Sequence, residues 1–164
     1  MKKLAMALVL ASGAGALFLV SGVVLGQDEA PAGFHFWSKG QIIDMSNALP
    51  LDAYKLGVKT IATEGNRRFL LVHRVGPGQA EYHATESDIM FIESGHATLI
   101  YGGKMVDAKD TAPDEIRGSG IEGGSERPLA PGDVIAIPAK LPHQVKPAPG
   151  VTFDYFVVKV KVAE

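Results

Sequence analysis

From residue 57 onward the chain alternates between apolar and polar positions in short runs. The segments GVKTIAT, RRFLLVHRV, AEYHAT, DIMFIES, ATLIYGG, DVIAIPA, HQVKPA and TFDYFVVKVKV are rich in β-branched and aromatic residues, and Gly, Pro, Asn or Asp separates them. Short strands punctuated roughly every 8–12 residues predict an all-β sandwich or barrel. No helical pattern of about 10–15 residues lies between them, which argues against a parallel α/β sheet. Upstream, FWSKGQIIDMSNAL places Ile42, Met45 and Leu49 at helical spacing. Ser38 stands where a cap is needed and Pro50 ends the run, so one short helix is predicted between Phe36 and Leu49. Phe36, Trp37 and Ile42 are expected to cover one end of the core. The longest irregular stretch runs from Gly102 to Gly132. Within it, Glu115–Arg117 and Ser125–Arg127 read as edge strands joined by glycines. Two expectations stand for the whole stretch: a cover over one mouth of the barrel, or a mobile hairpin without a role.

The first residues have another texture. Lys2 and Lys3 precede an uncharged stretch, Leu4–Leu25, and small residues lead to Gly26 before Gln27-Asp28-Glu29. This is the plan of a secretory signal peptide, with cleavage expected after Gly26. The alternative is a retained membrane anchor, since a run of about 22 apolar residues is long enough to cross a bilayer. Either way the remainder is expected outside the cytoplasm, periplasmic or secreted. The chain thus divides into residues 1–26 (signal peptide or anchor), 27–50 (linker and short helix) and 51–164 (β-barrel domain).

Composition narrows this further. There is no cysteine, so neither disulfides nor cysteine lipidation is available, and stability must come from an ordinary core. Residues 1–26 hold two of the 16 basic residues and none of the 18 acidic ones, leaving a net charge of about −4 with histidines neutral. Beyond Arg67-Arg68 there is no basic cluster, and no nucleic-acid partner is expected.

Candidate chemistry lies in EYHATESDIMFIESG, residues 81–95. In a strand, positions i and i+2 share a face, so Glu81 and His83 project together. Asp88, Met90 and Ile92 share a face of the next strand. A hairpin through Ala84–Ser87 is expected to bring Asp88 near His83. Two carboxylates and an imidazole suit a divalent ion such as Mn, Fe, Zn or Ni. A second segment, LAPGDVIAIPAKLPHQV, places a Pro131-Gly132-Asp133 turn before a strand, a second turn from Pro138 to Pro142, and then His143.

Together these segments resemble the two motif regions of the cupin superfamily. Gly76-Pro77-Gly78 matches the glycine-rich turn, and Asp88 stands seven residues before Gly95, as the family's acid does. Pro131, Gly132, Asp133, Pro138 and His143 match the second motif. The resemblance spans about residues 58–160 and implies a double-stranded β-helix, or jelly-roll, barrel. Three positions depart from it. Glu81 stands where the family has its first histidine, Asp88 replaces the usual Glu, and Lys140 replaces a glycine of the second turn. The ligand set implied by the resemblance is Glu81, His83, Asp88 and His143, which is hard and anionic and favours Mn, Fe or Zn over Cu(I). A metal-free paired network of the same four groups is the alternative.

The other histidines carry less. His73 is expected to be a satisfied core or rim residue, His96 a solvated turn residue, and His35 an inert linker residue. Tyr82 faces away from the site, and Lys140 is expected in solvent. Three functions fit: a metal-dependent enzyme of dioxygenase, isomerase or decarboxylase type, a metal or small-molecule binder of the cell envelope, or a metal-free interaction domain. A small-molecule ligand is the expected partner, with membrane contact only if the N-terminal segment is retained. A homodimer through edge strands is a further expectation.

Overall fold

The structure, a computed structural model, describes residues 30–162. The signal-peptide or anchor reading of residues 1–26 lies outside the described residues. Among the described residues, those from Gly33 onward form one compact unit. In it, among the described residues, helix α1 (Lys39–Asn47) precedes thirteen strands. They are β1 (Leu56–Glu64), β2 (Arg67–Arg74), β3 (Ala80–His83), β4 (Glu86–Ser94), β5 (Ala97–Tyr101), β6 (Lys104–Val106) and β7 (Lys109–Ala112), followed by β8 (Glu115–Gly118), β9 (Gly120–Glu122), β10 (Ser125–Leu129), β11 (Val134–Ile137), β12 (His143–Pro147) and β13 (Phe153–Lys161). No described helix is long and apolar enough to cross a membrane.

Two antiparallel sheets form the body. One runs β1-β2-β13-β4-β11 and the other β10-β5-β12-β3-β8-β7, while β6 and β9 form a separate ladder. The period-2 pattern decides which side chains meet between the sheets. In β4 the inward row is Asp88, Met90 and Ile92, all buried. In β13 it begins Phe153, Tyr155, Val157. Met90, Ile92, Phe153, Tyr155 and Val157 pack with Leu70, Val72, Leu99, Leu129, Ile137 and Val145 into one hydrophobic core. Burial of this apolar surface drives the collapse. Towards one end each inward row turns polar, so the same sandwich that closes on a hydrophobic core opens into a charged cavity.

The helix is shorter than the predicted Phe36–Leu49 run. Ser38 caps it by accepting from the Gln41 amide, and the Gln41 side chain returns the bond to the Ser38 amide. Such a box satisfies two amides that no helical carbonyl reaches. Phe36, expected over the core, is 72% exposed. Trp37 instead packs on the outer face of the five-stranded sheet, with ring centroids 5.7 Å from Phe69 and 5.8 Å from Phe156. His35 stacks on Trp37 at 5.4 Å, with Glu64 3.7 Å from its Nε2.

Two strand expectations are corrected. β3 and β4 do not form a hairpin, because β3 belongs to the six-stranded sheet and β4 to the five-stranded one. The link through Ala84 and Thr85 crosses between sheets, as a jelly roll requires, and Asp88 meets His83 across the cavity rather than along a ladder. Of the two expected edge strands, only β10 is one. There its Pro128 costs no interior ladder bond. Strand β8 is interior, paired with β3 on one side and β7 on the other. In the second turn, Lys140 holds φ 68, the left-handed conformation that favours the glycine it replaces. It is exposed, as expected.

Candidate metal centre

Register places the polar groups. Within the six-stranded sheet Glu81 stands opposite both Arg117 on β8 and His143 on β12, and His83 stands opposite Glu115. Directly opposed residues share a face and touch. On the facing sheet Lys159 stands opposite Asp88. The two sets meet across a cavity of about 730 Å3, within the range of small-molecule pockets.

Glu81, His83 and His143 each offer one ligand atom, and these atoms lie within 4.8 Å of one another. Arg74 Nη2 and Arg117 Nη1 both bond Glu81 Oε1, at 2.8 and 2.7 Å. Oε2 is left facing His83 Nε2 at 3.5 Å. Asp88 Oδ2 lies 3.5 Å from His83 Nε2 and 3.7 Å from His143 Nε2. All four residues named from the sequence therefore converge.

Each imidazole is oriented from behind. His83 Nδ1 meets Glu115 Oε2 at 2.5 Å, and Glu115 also pairs with Arg117. His143 Nδ1 donates to the Leu141 carbonyl at 3.1 Å. That bond fixes the tautomer and leaves the Nε2 lone pair pointing inward. His143 Nε2 is buried and has no hydrogen-bond partner. A buried polar atom without a partner costs about 1–3 kcal/mol. A carboxylate or carbonyl behind a ring nitrogen is the usual support for a metal-ligating histidine.

The sequence reading missed five groups at this centre: Lys159, Glu115, Arg117, Arg74 and Tyr155. Lys159 Nζ bonds both Asp88 oxygens, at 2.7 and 2.9 Å, and approaches His83 Nε2 at 2.8 Å. Arg74, only 2% exposed, donates from Nε to the Tyr155 hydroxyl at 3.0 Å. Lys159 and Arg74 were within reach of the pattern: each continues an inward row, Phe153-Tyr155-Val157-Lys159 and Leu70-Val72-Arg74. Glu115 and Arg117 carried no such signal, since nothing local pairs β8 with β3. His73 is satisfied as expected, with Nδ1 2.6 Å from Asp154 Oδ1.

Burial opposes every charge here, and the partners decide the outcome. For Glu81 burial is outweighed by His83, Arg117 and Arg74, which hold its carboxyl well below the usual range. Asp88 and Glu115 are likewise lowered against their burial, by His83 foremost and then by Lys159 and Arg117 respectively. Burial would lower His83, but bonds to Asp88, Glu115 and Glu81 push it up to about 10. At 2.8 Å the His83 and Lys159 nitrogens have room for one proton between them, so the pair carries one positive charge. For His143 burial wins over Glu81 and Asp88, keeping the ring low and neutral, the form in which imidazole binds metals. Burial also pushes the Tyr155 hydroxyl up. Arg74 stays raised against its burial through Tyr155 and Glu81.

The donor set fits a divalent ion: carboxylate oxygens and two imidazoles, one of them neutral, fixed and unpartnered. When bound, such an ion supplies Lewis-acid polarisation of a ligand oxygen.

No protein-family model and no curated protein matches the sequence. Solved structures do. TT1209 from Thermus thermophilus is similar at a TM-score of 0.50 and 18% identity, covering 73% of this chain and 96% of that one. Peruvianin-I, a cysteine peptidase from Thevetia peruviana latex, is similar at 0.51 and 13%, covering 80% and 77%. A Cupin 2 conserved barrel domain protein from Salinispora arenicola is similar at 0.47 and 21%, covering 70% and 82%. At these identities the likeness concerns fold alone. Two facing antiparallel sheets, linked by strand crossings between them, give the chain a jelly-roll fold.

Proposed function

We propose that this chain is an exported single-domain cupin that binds a divalent metal (Mn, Fe or Zn) and a small organic ligand beside it. Glu81, His83 and His143 hold the ion, with Asp88 as a fourth ligand. The observation that carries this reading is the His143 ring. Its Nδ1 is locked to Leu141, while its buried Nε2 has no partner and faces two carboxylates and a second imidazole. The remaining volume, lined by apolar Leu56, Leu70 and Val72 as well as by charged groups, leaves room for a ligand at the ion.

A second reading has its own support. Three acids, Glu81, Asp88 and Glu115, face three cations, Arg74, Arg117 and the Lys159–His83 pair, so the centre is balanced without an ion. On that reading the cavity is a metal-free pocket for a small polar molecule. One experiment separates the two. The chain is expressed with its own N-terminus, recovered from the cell envelope and analysed for bound elements. Close to one equivalent of a divalent metal is expected, lost in His143→Ala. Protein without metal in both forms would leave the second reading. Protein confined to the cytoplasm would overturn export.

A further inference from the structure

We infer that Lys159 occupies the place of the metal, and that its amino group must swing out of the cradle before the ion is held. This rests on the metal reading and adds the side chain that limits affinity.

The argument begins with atoms. Lys159 Nζ sits 2.7 and 2.9 Å from the two Asp88 oxygens and 2.8 Å from His83 Nε2. A divalent ion would claim those same lone pairs, and two cations cannot share them. Charge points the same way. With three acids balanced by three positive charges, an ion entering beside Lys159 meets its repulsion. An ion replacing the amino group meets an Asp88 carboxylate ready to receive it. Asp88 is 2% exposed, so it cannot be left unpaired. An exchange of one cation for another keeps it paired throughout.

Geometry permits the exchange. Lys159 reaches the cradle on a flexible four-carbon stem. Its side chain retains 11% exposure, and the next residue of its row, Lys161, lines the outer cavity and is exposed. The amino group therefore has a path along its own strand into the open cavity. His143 Nε2 meanwhile stays unpartnered, because Lys159 bonds Asp88 and His83 and not the second histidine. The amino group thus fills the cradle only in part.

The test is calorimetric titration of metal-stripped wild type, Lys159→Met and Lys159→Arg with Zn2+ and Mn2+. Removing a positive charge at contact distance is expected to tighten binding by about tenfold or more in Lys159→Met, with Lys159→Arg no tighter than wild type. Equal or weaker binding by Lys159→Met, where wild type binds, overturns the exchange and leaves the metal reading standing. Failure of both proteins to bind removes the metal reading, and the exchange with it. Should Lys159→Met fail to fold, wild type labelled with 15N at lysine side chains answers instead. The Lys159 Nζ signal, assigned through Lys159→Arg, is expected to move to an exposed-lysine position as Zn2+ binds. A signal unmoved while the ion binds overturns the proposal.

Discussion

Gly95, just past the end of β4, holds φ +76, and a Cβ built there would lie 2.0 Å from the Thr152 carbonyl oxygen. Two penalties coincide at this residue: a conformation that L side chains rarely adopt, and a collision with backbone that cannot rotate away. Gly102 has a similar φ of +72 but nothing within 4 Å of the same position. Gly95→Ala is therefore expected to destabilise the protein by about 2–4 kcal/mol, and Gly102→Ala by only about 1 kcal/mol. Urea denaturation midpoints of both variants measure the difference, and equal losses would show that the collision does not matter. The same scale shows what could be read from the residues. Glu81, His83, Asp88 and His143 were legible because motif spacing marks them. Lys159 was legible in principle, being the fourth inward position of its strand. Taken alone, a lysine in a strand's inward row is ordinarily paired or reaches out to solvent. Only coordinates show that its register partner is a buried aspartate.

Among the elements, the irregular stretch after Gly102 contributes most to the site that sequence alone could not supply. Its strand β8 inserts beside β3 and brings Glu115 behind His83. Local sequence showed that Glu115–Arg117 was strand-like, but pairing is non-local, and a strand's partner is not written in its own alternation. The same limit misplaced Asp88 onto a hairpin. A two-residue link predicts a hairpin unless the fold sends the next strand to the opposite sheet. If β8 supports the centre as the geometry suggests, Glu115→Ala should loosen the His83 ring without unfolding the barrel, since Glu115 is 21% exposed at its side chain. Metal affinity is expected to fall by about 10–100-fold, with partial recovery in Glu115→Gln, whose amide oxygen still accepts from Nδ1. Calorimetric titration measures both. An unchanged affinity in Glu115→Ala would mean that His83 is held by its ladder alone.

For the whole molecule, the question is where the folding unit begins. Composition placed the boundary at Pro50, because the β texture starts there. The buried apolar core residues lie from Leu70 onward. Yet the segment before Pro50 is packed onto the five-stranded sheet. Trp37 covers Phe69 and Phe156. A Cβ at Gly57 would lie 2.7 Å from the Leu49 Cβ, so that strand was built to let this segment approach. The compact unit accordingly starts at Gly33. A chain of residues 33–164 is expected to unfold in one transition at the midpoint of a chain of residues 27–164. A chain of residues 51–164 uncovers Phe69 and Phe156 and loses a capped helix, which should cost about 3 kcal/mol or more and lower the midpoint by roughly 10 °C or more. Thermal denaturation of the three chains decides it. Equal midpoints for 51–164 and 33–164 would make residues 33–50 a tether. A lower one makes α1 and Trp37 part of the wall that backs β13.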